Sequence, residues 1–102
     1  MNMNTKRVVE DMGDRLEQEY PDIKPKKITG DYLATVSEIE TGSYEVAAHL
    51  KWMIEQMKEM DEYAQDDFDA WGKQMRWIGF IQGALWGLGY VSIDEWRELN
   101  IE

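Results

Sequence analysis

Residues 43–89 read SYEVAAHLKWMIEQMKEMDEYAQDDFDAWGKQMRWIGFIQGALWGLG, and their spacing decides the fold. Apolar side chains recur at Ala47, Leu50, Ile54, Met57, Ala64, Phe68, Trp71, Met75, Ile78 and Leu85, with Asp61 and Gln82 in the two slots that fail. Alternating steps of three and four lay one apolar seam along a helix, the mark of helices packed at a shallow angle. A straight helix over 44–88 would be about 67 Å long at ~1.5 Å per residue. A compact domain of this length has a radius of gyration near ~13 Å. The seam therefore either folds back on itself or belongs to an extended dimer. The break is expected at Asp61–Asp67, where position 61 is polar and Asp66 or Asp67 can cap a new helix. The spine is then 44–60 and 67–88, as a helical hairpin or a kinked long helix.

Working outward, Gly89 suits the C′ position that ends the second spine helix. Ser92-Ile93-Asp94-Glu95 reads as a capping box opening a short last helix, with Trp96 and Leu99 on its apolar edge. Upstream, Thr5 is a plausible N-cap for a helix to Glu19, with Val9, Met12 and Leu16 on one face. Pro21 ends it and Pro25 keeps the next residues extended, so 21–30 reads as a linker. Asp31–Glu40 fits a short helix stopped by Gly42, preferred over a strand because no second strand is there to pair with it. The expectation is one all-α domain of four to five helices. It comprises an N-terminal helix in 1–20, the linker 21–30 and a helical core from 31 to 102. The core seam is expected to run through Trp71, Met75, Ile78 and Leu85.

The 102 residues carry 21 Asp plus Glu against 11 Lys plus Arg, a formal charge of −10. That balance argues against direct binding to nucleic acid or anionic lipid. No cysteine is present, which excludes disulfides, thiolate metal sites and thiol catalysis. His49 is the one histidine, too few for a multi-histidine metal centre. No phosphate-binding loop, nucleophile elbow or dinucleotide fingerprint occurs. The expectation is a non-enzymatic protein without cofactor or metal. Met1–Glu19 lacks the apolar core of a secretory leader, and the most apolar stretch, 77–91, is short for a membrane span. A cytoplasmic protein is expected.

The charge is local. Residues 1–29 hold six acids and six bases, whereas 30–102 hold fifteen acids and five bases. Glu55, Glu59, Asp61, Glu62, Asp66, Asp67 and Asp69, opposed by Lys58 alone, give 55–69 a net −6. A solvated, solubilising face is the simplest reading of such a run. The sharper one is a partner-binding face that docks on a basic, nucleic-acid-binding surface of another protein. Trp77 and Trp86 lie off the apolar seam and, with Trp96, are candidate interface anchors, or else mark a central core helix. Gly79, Gly83 and Gly87 line up at spacings of four, each costing up to ~1 kcal/mol relative to alanine. Close approach of another helix compensates such a ridge, from within the chain or from a second copy in a homodimer.

The block Arg76-Trp77-Ile78-Gly79-Phe80-Ile81-Gln82-Gly83-Ala84-Leu85-Trp86, followed by a glycine turn and Ser92-Ile93-Asp94-Glu95-Trp96-Arg97, resembles the ending of a group of small bacteriophage proteins. The resemblance covers about 30 residues. Small acidic helical phage proteins are commonly inhibitors of host enzymes or defence systems, anti-CRISPR proteins among them. The resemblance thus implies a phage-encoded inhibitor acting on a host protein in the host cytoplasm. The alternative is a homo-oligomeric scaffolding protein built on the heptad seam and the glycine ridge.

Overall fold

The computed structural model describes residues 3–28, 39–64 and 68–95, with side chains for all of these except 4, 39–43, 61–64 and 68–71. The architecture is all-α. Among the described residues three helices form it: α1 (Met3–Glu19), α2 (Ile39–Ala64) and α3 (Phe68–Gly87). A helical turn at 93–95 follows. Of the short helix expected at Asp31–Glu40, residues 31–38 lie outside the described residues and Ile39 and Glu40 open α2; the part of the last helix expected beyond 95 also lies outside them. With a radius of gyration of 13.8 Å, the chain takes the compact option.

α2 and α3 are antiparallel neighbours. Gln74 Nε2 donates to the Met57 carbonyl at 3.1 Å, and the Trp52 and Trp77 rings lie 5.8 Å apart. As one number falls, the other rises. On α2 the seam residues Ala47, Leu50, Ile54 and Met57 are all buried, as their spacing requires. α1 packs across both long helices and supplies Val8, Val9, Met12 and Leu16 to the same core.

Several expectations need correction. α1 begins at Met3, so Thr5 is inside the helix rather than its cap. Gly42 is no stop, because α2 runs through it. One helical glycine costs ~1 kcal/mol, which the packing of a 26-residue helix readily offsets. The buried line on α3 is Gln74, Ile78, Ile81 and Leu85, with Met75 only partly buried. α3 turns the boundary of its apolar face inward because it must meet α1 and α2 together. The Trp71 side chain lies outside the described residues.

The proline-bracketed segment is docked rather than loose. The Lys26 N–H donates to the Ala48 carbonyl at 3.0 Å, and the Ile28 N–H donates to His49 Nδ1 at 3.0 Å. Lys51, only 6% exposed, turns its ammonium back to this segment. It donates to the Tyr20 carbonyl (2.6 Å), the Ile23 carbonyl (2.8 Å) and Glu17 Oε1 (2.9 Å). A cation there adds a charged donor just past the negative end of α1, where the Tyr20 carbonyl also accepts the Ile23 N–H.

The end of α3 follows its sequence signals. The Tyr90 N–H donates to the Leu85 carbonyl and the Gly89 N–H to the Trp86 carbonyl, both at 3.0 Å, the paired bonds of a Schellman cap. Gly89 takes φ +86°, which the cap demands. The Glu95 N–H donates to Ser92 Oγ (3.1 Å) and the Ser92 N–H to Glu95 Oε1 (3.4 Å), completing the capping box.

Candidate functional site

Two grooves flank α2, and they differ in charge. The first, about 410 Å³, lies between α1 and α2. Glu10, Asp14 and Glu17 recur along α1 at steps of four and three, and Glu55 faces them from α2. All four are exposed, and Lys51 and Lys58 are the cations on the same walls. Although residues 1–29 sum to zero, the outer face of α1 thus extends the acidic surface of α2.

The second groove, about 840 Å³, lies between α2 and α3, and none of its walls comes from α1. Trp52, Met53 and Met60 from α2 and Trp77 and Phe80 from α3 form its apolar floor. His49 stacks on Trp52 at 5.5 Å, and Trp52 meets Trp77 at 5.8 Å. Lys27 and Lys73 stand over the two indoles, 5.2 Å from the Trp52 ring and 4.9 Å from the Trp77 ring. Arg76 adds a third cation and Glu59 one carboxylate. Burial, and after it the charge of Lys27, pushes the His49 imidazole below its usual 6.5. With Nδ1 accepting from Ile28, neutral His49 carries its proton on Nε2.

The expected site residues therefore scatter. Glu55 faces the α1 side and Glu59 the α3 side, so the two diverge from one ridge. The side chains of Asp61, Glu62 and Asp69, together with residues Asp66, Asp67 and Trp96, lie outside the described residues. Trp77 is partly buried against the core and overlain by Lys73, which makes it part of the groove floor. Trp86 is 54% exposed and Phe80 59%. Among the described residues, a methyl group built at Gly79, Gly83 or Gly87 meets nothing within 4 Å. No described helix of this chain crosses the ridge.

Sequence reading missed the cation-rimmed groove. Lys73, Trp77 and Phe80 stand at helical spacing, and so do Trp52, Gln56 and Glu59, but only the α2–α3 register brings the two sets together. Among the described residues no three His, Asp or Glu side chains gather as a metal set would, and no helix is long and apolar enough to cross a membrane. No protein-family model, curated protein or solved structure matches this chain.

Proposed function

We propose that this chain is a non-enzymatic binding protein of the phage inhibitor type, docking on a host defence or nucleic-acid-handling protein through an acidic surface. The observation that carries the reading is the row Glu10, Asp14, Glu17 and Glu55, exposed on adjoining faces of α1 and α2. Carboxylates held along two helices offer a basic groove a set of fixed negative charges comparable to a phosphate strand. The test is capture of a partner from bacterial host extract by the immobilised protein at low salt. The expected partner binds nucleic acid, and added DNA competes for it. Reversing Glu10, Asp14 and Glu55 to Lys should abolish capture, since all three are exposed and their replacement spares the core. Undiminished capture by the reversed variant would sink the electrostatic reading. At ~1 M salt the Debye length falls to ~3 Å, so a partner that stays bound is held by apolar contacts instead.

One observation favours a second reading, a homo-oligomer. The outer face of α3 is nearly palindromic about Gly83: Gly79 and Gly87 flank it at four residues, and Phe80 and Trp86 at three. Two antiparallel copies of α3 crossing at Gly83 would set glycine against glycine and Phe80 against Trp86, as an isologous contact requires. Sedimentation of the protein separates the readings. A monomer at every concentration eliminates the dimer. A dimer lost on Gly83→Leu, a change the open space around Gly83 accommodates in the monomer, supports it.

A further inference from the structure

A pair of packed helices has two grooves. In this fold α1 covers one side of the α2–α3 pair, and among the described residues the other stays open, floored by Trp52, Trp77, Met53, Met60 and Phe80. Its rim reverses the charge of the molecule. Lys27, Lys73 and Arg76 face one carboxylate, Glu59, in a chain with 21 acids for 11 bases. Elsewhere Arg15 pairs with Asp11 and Glu95, and Lys51 with Glu17. Among the described residues Lys27, Lys73 and Arg76 draw no such ion pair, and two of them rest on indole faces instead.

We propose that this open groove receives an acidic amphipathic helix of a partner protein. Charge complementarity selects the class: cations held over a dry aromatic floor gain most from carboxylates brought alongside apolar side chains. The shape selects a helix. Between His49 and Met60 the groove follows α2 for roughly 16 Å at ~1.5 Å per residue, about three helical turns. A helix laid there completes a four-helix arrangement, with apolar residues at i, i+3 or i+4, and i+7 on the floor. Its flanking carboxylates meet Lys27 at one end and Lys73 with Arg76 at the other. Nucleic acid fits less well. Base stacking needs open ring faces, and Lys27 and Lys73 occupy those of Trp52 and Trp77. The net charge of −10 repels a polyanion over most of the surface. This proposal stands apart from the acidic surface of α1 and α2, which none of these groove residues shares.

The experiment is selection from a random-peptide display library on the immobilised full chain, followed by affinity measurement of the enriched peptides. The expected winners are helix-forming, with acidic residues beside apolar ones at three- and four-residue spacing. Their affinity should fall about tenfold or more for Lys73→Glu/Arg76→Glu, two exposed positions, while helical circular dichroism is unchanged. Phe80→Ser should weaken them as well, and their addition should shift the indole N–H resonances of Trp52 and Trp77. The Glu10, Asp14 and Glu55 reversals should leave this binding intact, so it can fail while the acidic-surface reading survives, and conversely. Neutral or basic winners would overturn the proposal. So would affinity unmoved by the Lys73/Arg76 variant, or displacement of every peptide by a short oligodeoxythymidine.

Discussion

Two side chains show how single residues are settled by their surroundings. Gln74 is fully buried at the centre of the α2–α3 contact, with Nε2 bonded to the Met57 carbonyl and Oε1 without a partner among the described residues. A buried acceptor left unmade costs more than the one bond returns, and the Met57 carbonyl also has the helix's own donor. Gln74→Met should therefore raise stability by about 1 kcal/mol, read as a higher denaturation midpoint; a lower one would show that the amide is needed to set helix register. His49 is the residue with a pH signature near neutrality. Its folded pKa lies below the unfolded 6.5, so the unfolded chain takes up the proton first. The contribution is present above about pH 6.5 and is lost as pH falls through the folded value, because imidazolium cannot accept the Ile28 N–H. An NMR titration should place the His49 midpoint under 6.5, and Lys27→Ala should move it up; a midpoint at or above 6.5 contradicts the assignment.

At the scale of elements, α3 separates two kinds of glycine. Gly79 and Gly83 sit on helical backbone with open space around them, so their substitution removes only a propensity cost. Gly79→Ala and Gly83→Ala should each stabilise the chain by about 0.5–1 kcal/mol, while weakening any partner that uses the ridge. Gly89 has open space too, but its φ of +86° belongs to the Schellman cap, so Gly89→Ala should destabilise by about 1 kcal/mol. Thermal melts of the three variants check both signs. These helix signals were legible in the sequence: the seam of α2, the Gly89 stop and the capping box at Ser92 all rest on local chemistry. The starts of α1 and α2 were not, because Thr5 and Gly42 are weak local preferences overridden by helices whose apolar faces find a core.

At the scale of the whole molecule, Arg15 joins the first helix to the last turn. Its guanidinium donates to Asp11 (3.0 Å), to the Tyr90 carbonyl (3.1 Å) and to Glu95 (2.7 Å). Burial disfavours the charged guanidinium, but the bonds to Asp11 and Glu95 outweigh it and raise its pKa above the ordinary guanidinium value. Arg15, and after it the Ser92 N–H, pulls the Glu95 carboxyl below its usual 4.5. Stability from this clamp is present above about pH 4.5 and is lost as pH falls through the folded value. Carboxyl NMR should show the depressed Glu95 midpoint, and Arg15→Ala should move it up toward the ordinary range while lowering the melting temperature. Beside the clamp, Tyr20 meets Tyr44 and Tyr90 edge-on, and its 2.8 Å hydroxyl contact pushes the Tyr90 phenol up to about 12.

Periodicity, caps and composition in the sequence alone establish an all-α chain, its long amphipathic seam, its acidic middle and the four-residue spacing of its glycines. These are local properties, carried by residues three or four apart or by simple counts. Tertiary structure decided which cations and aromatics meet. The Trp52–Trp77 floor, the Lys27, Lys73 and Arg76 rim, the acidic alignment of α1 with Glu55 and the burial of Lys51 and Gln74 all join residues far apart in the chain. Such pairings depend on helix register and crossing, which arise from packing the whole core at once and leave no periodic trace in any one segment.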